Sequence, residues 1–264
     1  MRAPPPIMTD RTDWPDAWTL FLDIDGTLLD LAPRPELVMV PPDLPARLRR
    51  VAEALGGALA LVSGRPLATI DRLFPVGLDA VGTHGAEWRL GGQVGEVAPA
   101  GRVSLAAIAL ALEEPLRHLP GVWLEPKPKG LALHFRAAVA LESQALRLAR
   151  QAVRTLGPDY RLQAGKQVVE ILPAQASKGA GIRRFLASPP YVGRTPIFVG
   201  DDLTDEDGFA AVNARGGISV RVGAGDGTQA RHELALPSDL RHWLGGLAAR
   251  LKAEGLTRPH CPRR

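Results

Sequence analysis

Cysteine is nearly absent from this chain of 264 residues: Cys261, close to the end, stands alone. One thiol cannot close an intrachain disulfide or supply a multi-cysteine zinc site, and it leaves the compartment open. Aromatic residues are scarce at 5%, and 32 Lys plus Arg against 28 Asp plus Glu leave a net charge of only +4. A nucleic-acid surface needs a basic face interleaved with aromatics, so no nucleic-acid partner is expected. A mild cationic balance suits a small anionic substrate instead. No apolar run approaches the roughly 18 residues of a membrane span. Residues 1–17 are Pro-rich and polar, with no apolar stretch of signal-peptide length. A cytoplasmic monomer with no membrane contact is the expectation. Hydrophobic content of 45% with 23% charged residues is globular.

What the chain does have is an acidic pair at a strand end, in Phe21-Leu22-Asp23-Ile24-Asp25-Gly26-Thr27-Leu28. The apolar run Trp18 to Leu22 reads as a buried strand. Period-two geometry points Asp23 and Asp25 to one side of its end. Two carboxylates held that close are costly without a shared cation or proton. Gly26 lets the backbone turn and approach a ligand. In open α/β sheets, chemistry sits at the carboxyl ends of strands.

Downstream, Asp43 reads as the N-cap of a helix carrying Leu44, Leu48, Val51 and Leu55. Ala58 to Val62 is a second buried strand, ending at Ser63-Gly64-Arg65-Pro66. Ser63 there is equally suited to capping the next helix and to holding an anion. A third strand begins at Asp79, and after Gly82-Thr83-His84-Gly85 the βαβ rhythm breaks with a hairpin turn at Gly91-Gly92. Between residues 91 and 173 the order helix, strand, strand is read twice, an α+β unit of two helices on one antiparallel sheet. The α/β rhythm resumes with Ser177-Lys178 opening a helix. The apolar strand Pro196 to Gly200 then runs into Asp201-Asp202-Leu203-Thr204-Asp205-Glu206-Asp207. Asp201 and Asp202, directly at the strand end, read as hard-oxygen metal ligands, and Asp205 to Asp207 as including helix caps. Gly223 to Gly227 lacks dinucleotide-loop spacing. Trp88, Trp123 and Trp243 are expected to pack. The predicted organisation is a flexible segment 1–17, a core of 18–90 and 174–256, an inserted unit 91–173, and a tail 257–264.

Asp23-Ile24-Asp25-Gly26-Thr27, Ser63, Lys178 and Gly200-Asp201-Asp202-Leu203-Thr204-Asp205 resemble, in order, the four motifs of the haloacid dehalogenase superfamily of phosphatases. The resemblance covers nearly everything from Leu20 to Leu251. It implies a Rossmann-like parallel-sheet core with an inserted αββαββ cap of the C2 type, and Mg²⁺ as cofactor. It further implies that Asp23 attacks phosphorus and that Asp25 passes the proton, its backbone carbonyl binding the metal. Asp23, Asp25, Asp201 and Asp202 would form the metal site, with Ser63 and Lys178 holding phosphoryl oxygens. An aspartyl-phosphate route suits phosphate-monoester hydrolysis, among the slowest uncatalysed reactions known.

Four further segments are similar to the trehalose-6-phosphate phosphatases: Gly82 to Glu87, Glu125-Pro126-Lys127, Ala132 to Arg136, and Gly165 to Pro173. Carboxylates accept from sugar hydroxyls, and lysines donate to hydroxyls or phosphate. Glu125, Lys127, Lys166 and Glu170 are therefore the candidate sugar-binding residues, with Arg65 and His84 beside them. His134 reads as structural and Arg136 is undecided. Phe135 and Leu172 stand where that family usually has Tyr and Arg. The implied reaction is hydrolysis of trehalose 6-phosphate. The runners-up are another C2-capped sugar phosphatase, of sucrose-6-phosphate or mannosyl-3-phosphoglycerate type, and a non-catalytic sensor of the same sugar phosphate.

Overall fold

A computed structural model describes residues 18–32, 34–97, 103–165 and 167–253. Segment 1–17, the tail 257–264 and Lys166 lie outside the described residues.

The first strand, β1 (Trp18–Leu22), is buried at every position after Trp18. A strand buried on both faces needs neighbours on both edges and helices above and below. It runs parallel to β2 (Leu59–Val62) on one side and to β10 (Thr195–Gly200) on the other. The full sheet has the order β12 (His232–Leu234), β11 (Ile218–Val222), β10, β1, β2, β3 (Asp79–Gly82), β4 (Glu87–Leu90), β5 (Gln93–Glu96). Six strands are parallel, and the β4–β5 hairpin adds an antiparallel edge. The core sheet thus continues through Glu96, past residue 90 where the inserted unit was expected to begin. A two-residue Gly91-Gly92 turn fixes the hairpin but not which sheet it joins. The short β12 was not anticipated; three residues with no alternation carry no strand signal.

Helix α1 (Leu44–Ala54) packs on α7 (Pro237–Ala253), and α5 (Lys178–Leu186) on α6 (Glu206–Asn213). Asp43 was expected to cap α1. Its backbone is already in the helical region, its side chain makes no cap hydrogen bond, and it pairs instead with Arg47 one turn on. The short helix α2 (Leu67–Leu73) follows Pro66.

The insert holds α3 (Leu105–Arg117), β6 (Trp123–Lys127), β7 (Gly130–His134), α4 (Glu142–Leu156), β8 (Tyr160–Gly165) and β9 (Val168–Pro173). Its antiparallel sheet has the order β6-β7-β9-β8. Side chains alternate across a strand, and the two faces differ completely. Leu124, Leu131, Leu133, Leu162, Val169 and Ile171 pack with Ile108 and Leu112 of α3 and with Ala145, Ala149 and Ala152 of α4. The other face carries Trp123, Glu125 and Lys127 from β6, His134 from β7 and Glu170 from β9. The insert is therefore a two-layer cap that turns a polar face away from its own core.

Candidate active site

All three acidic or hydroxylic strand ends sit on one edge of the parallel sheet. Asp23 leaves β1 with its N–H donated to the Val199 carbonyl of β10 at 2.9 Å, and it is 3% exposed. Lys178, at the first position of α5 and equally buried, donates to Asp23 Oδ1 and Asp205 Oδ1 at 2.7 Å each. Thr27 Oγ1 lies 3.0 Å from Asp23 Oδ2 and 3.2 Å from Asp201 Oδ1, so its one proton can serve either. Gly26, at φ +79°, makes this convergence possible: a Cβ there would lie 2.1 Å from Asp201 Oδ2.

Asp23, Asp201 and Asp205 each bring a carboxylate oxygen to within 4.8 Å of the others. Lys178 is the cation that faces Asp23 and Asp205, so negative charge is in excess. Burial, the largest influence, pushes Asp23 well above the ordinary carboxylate range; Lys178 pulls it back, and Asp205 and Asp201 raise it further. Asp201 is pushed up to about 7, first by burial and then by Asp205. Burial alone would lower Lys178, but Asp205 and Asp23 outweigh it and hold the ammonium well above its ordinary value. Three oxygen donors with uncompensated charge suit a hard divalent cation.

Within the acidic run 201–207, Asp205 caps as expected and does more, and Asp202 turns to capping too. Asp202 is not in the trio; its carboxylate accepts from the Leu203 N–H at 2.7 Å at the start of the 3₁₀ turn Leu203–Asp205. Asp205 takes the capping part expected within 205–207, closing a capping box with Asp202, and is fully buried. Its Oδ2 accepts from the N–H groups of Asp201 and Asp202 at 3.0 Å each, while Oδ1 takes Lys178.

Asp25 parts company with Asp23. Both its oxygens are taken by Arg65, Nε to Oδ2 at 2.6 Å and Nη2 to Oδ1 at 2.7 Å. Ser63 is buried beside them, and its Oγ accepts from the Arg65 N–H at 3.1 Å.

The cap meets the core through Glu170. His84 Nε2 lies 2.5 Å from Glu170 Oε2, and Lys127 Nζ pairs with Oε1 while lying 3.5 Å from the Gly64 carbonyl. His84 reaches this position from a left-handed turn: Thr83, His84 and Gly85 have φ of 45°, 52° and 97°. A β-branched residue there is strained. The turn is held by Thr83 N–H to the Arg65 carbonyl at 2.9 Å and Thr83 Oγ1 to Glu87 Oε1 at 2.7 Å. Gly64 leaves the imidazole its space, because a Cβ would lie 2.3 Å from Nε2. Burial would raise Glu170, but His84 and Lys127 prevail and keep it ionised, far below its usual range. Glu125 is lowered chiefly by its hydrogen bond with His134 Nε2 at 2.9 Å.

A family model described as trehalose-phosphatase matches residues 21–238. The chain belongs to the trehalose-phosphatase family. It is 46% identical over 216 residues to a probable trehalose-phosphate phosphatase of Sinorhizobium fredii, covering 79% of this chain and 78% of that one. It is 41% identical over 239 residues to a trehalose-6-phosphate phosphatase of Escherichia coli K12, covering 90% and 89%. The solved C-terminal domain of a Candida albicans trehalose-6-phosphate phosphatase shares the fold, with a TM-score of 0.74 at 22% identity over 89% of this chain and 92% of that one. This trehalose-phosphatase family member thus has the haloacid dehalogenase-type α/β core, and its motif residues Asp23, Ser63, Lys178 and Asp201 stand at one sheet edge. No helix among its described residues is long and apolar enough to cross a membrane.

Proposed function

We propose that the protein hydrolyses trehalose 6-phosphate to trehalose and phosphate, with Mg²⁺ as cofactor. The observation that carries this reading is a charged phosphoryl-type site beneath a cap face bearing Glu125, Lys127 and Glu170. On β6, β7 and β9, Glu125, Ala132 and Glu170 lie in register. Two carboxylates thus stand on either side of the buried Ala132, about two strand spacings, roughly 10 Å, apart. Carboxylate acceptors and a lysine donor on one face are the chemistry that suits a polyhydroxylated ring.

In this reading Asp23 attacks phosphorus and carries the phosphoryl group as an aspartyl phosphate. Lys178 holds a phosphoryl oxygen and offsets developing charge. Ser63 gives its hydroxyl to another. Asp25 protonates the leaving sugar oxygen and then takes a proton from the hydrolytic water. It can do so only once Arg65 has released it, and the incoming phosphoryl oxygens are the natural new acceptors for that guanidinium. Asp205 already accepts three hydrogen bonds, so Asp23 and Asp201 would hold the cation, aided by the Asp25 carbonyl. A bound divalent ion would supply neutralisation of phosphoryl charge.

A phosphate-release panel tests the reading. Trehalose 6-phosphate should be cleaved in the presence of Mg²⁺, with little release from sucrose 6-phosphate or mannosyl-3-phosphoglycerate, and Asp23→Asn should abolish turnover. The reverse substrate ranking, or substantial activity in Asp23→Asn, would sink it.

A further inference from the structure

One side chain on the polar face of the cap sheet has no task in that chemistry: Trp123. Its neighbours Val122 and Leu124 are apolar, and the residue was expected to pack. It is instead 47% exposed, while Trp243 is buried at 6% and Trp88 lies under the Arg184 guanidinium, 3.6 Å from the ring centroid. Trp123 shares its strand face with Glu125 and Lys127, and pairs in register with His134. The indole and imidazole are stacked, with centroids 4.0 Å apart and planes within 9°. His134 is in turn held by Glu125. A chain of two contacts therefore fixes the indole while nearly half the residue stays open to solvent.

The position faces the core. At the far end of β6, Lys127 reaches toward the Gly64 carbonyl. At the near end, Arg136, two residues past His134, donates to the Ala32 carbonyl at 3.3 Å, in the loop that follows the Asp25 motif. Trp123 lies on the strand face that carries Lys127, at the end of β6 nearer Arg136, with the Glu125 carboxylate two residues on. A rigid aromatic face next to a hydroxyl acceptor is the arrangement that fits a sugar ring, whose C–H face is apolar and whose edge is polar.

We propose that Trp123 is a stacking platform for the glucosyl ring remote from the phosphate, and so a residue that favours disaccharide over monosaccharide phosphates. The proposal rests on the trehalose 6-phosphate reading above. Phosphate release is measured for trehalose 6-phosphate and glucose 6-phosphate with wild type, Trp123→Ala, Trp123→Leu and Trp123→Phe. In the Ala and Leu variants the ratio of the two kcat/KM values should fall roughly tenfold, carried by KM for the disaccharide, with Phe retaining most of it. Trehalose should also change the tryptophan fluorescence of the wild type, and Trp123→Phe should lose that change. The Leu and Phe variants keep a bulky side chain, so the comparison stands even if Ala disturbs folding. An unchanged ratio in an active Leu variant would overturn the platform alone. A wild type that does not release phosphate from trehalose 6-phosphate would overturn the function and the platform together.

Discussion

At the residue scale, Asp202 and Asp205 close one reciprocal capping box and differ in what else they hold. Asp202 caps a short turn at the surface, whereas Asp205 shares the buried Lys178 with Asp23 and holds two backbone N–H groups. Removing a surface cap costs about 1 kcal/mol, and removing one partner of a buried ion pair costs about 3–5 kcal/mol. Urea unfolding should therefore show a small loss for Asp202→Ala and a several-fold larger loss for Asp205→Ala. Equal losses would mean that Asp205 is not what holds Lys178 in place. The acidic pair at the end of β1 was legible because a strand's period and a following glycine are written in the sequence. The bond of Asp205 to Lys178 was not, since five acids in the seven residues 201–207 look alike until the turn Leu203–Asp205 folds one of them back under β10.

At the scale of elements, the cap strands β6 and β9 meet the core at the strained turn between β3 and β4. Glu170 gathers a core histidine and a cap lysine, and charge-assisted hydrogen bonds of this kind contribute about 1.5–3 kcal/mol each. Glu170→Gln keeps the shape and removes the charge. Hydrogen exchange of the 83–87 segment should then quicken by roughly tenfold or more, because 1.4 kcal/mol of lost protection is a factor of ten. Unchanged exchange would show that the turn holds itself closed without the cap. The repeated helix-strand-strand order made the cap's two helices and four strands readable in sequence. The alternation that exposes Trp123 was present too, with Val122 and Leu124 turned to one side and Glu125 and Lys127 to the other. A tryptophan between two apolar residues nonetheless reads as packing until the sheet's two faces are known. The left-handed turn at Thr83 and His84 had no local signal beyond Gly82 and Gly85, because tertiary contacts to Arg65 and Glu87 impose it.

At the scale of the whole molecule, burial of excess negative charge couples stability to pH and to cations. Asp201 sits at about 7 in the cation-free fold, above its ordinary 3.8. Between those two values the folded state binds more protons than the unfolded chain, so the cation-free protein loses stability as pH rises from about 4 to about 7. A divalent ion relieves the same repulsion but must compete with the proton. Apparent Mg²⁺ affinity, followed by thermal shift after chelator treatment, should be about tenfold weaker at pH 6 than at pH 8. A pH-independent shift would place the stabilising ion elsewhere. The order of strands carries a different consequence, one that concerns synthesis. β1 is flanked by β2 from before the cap and by β10 from after it. On the ribosome the cap's contiguous elements can close their own sheet, while β1 keeps a bare apolar edge until Thr195–Gly200 emerges. Such long-range pairing is slow and leaves an edge open to wrong partners. Asp23 and Lys178 therefore meet only after the cap has been made, and no half-made chain can bring the acidic edge together ahead of it.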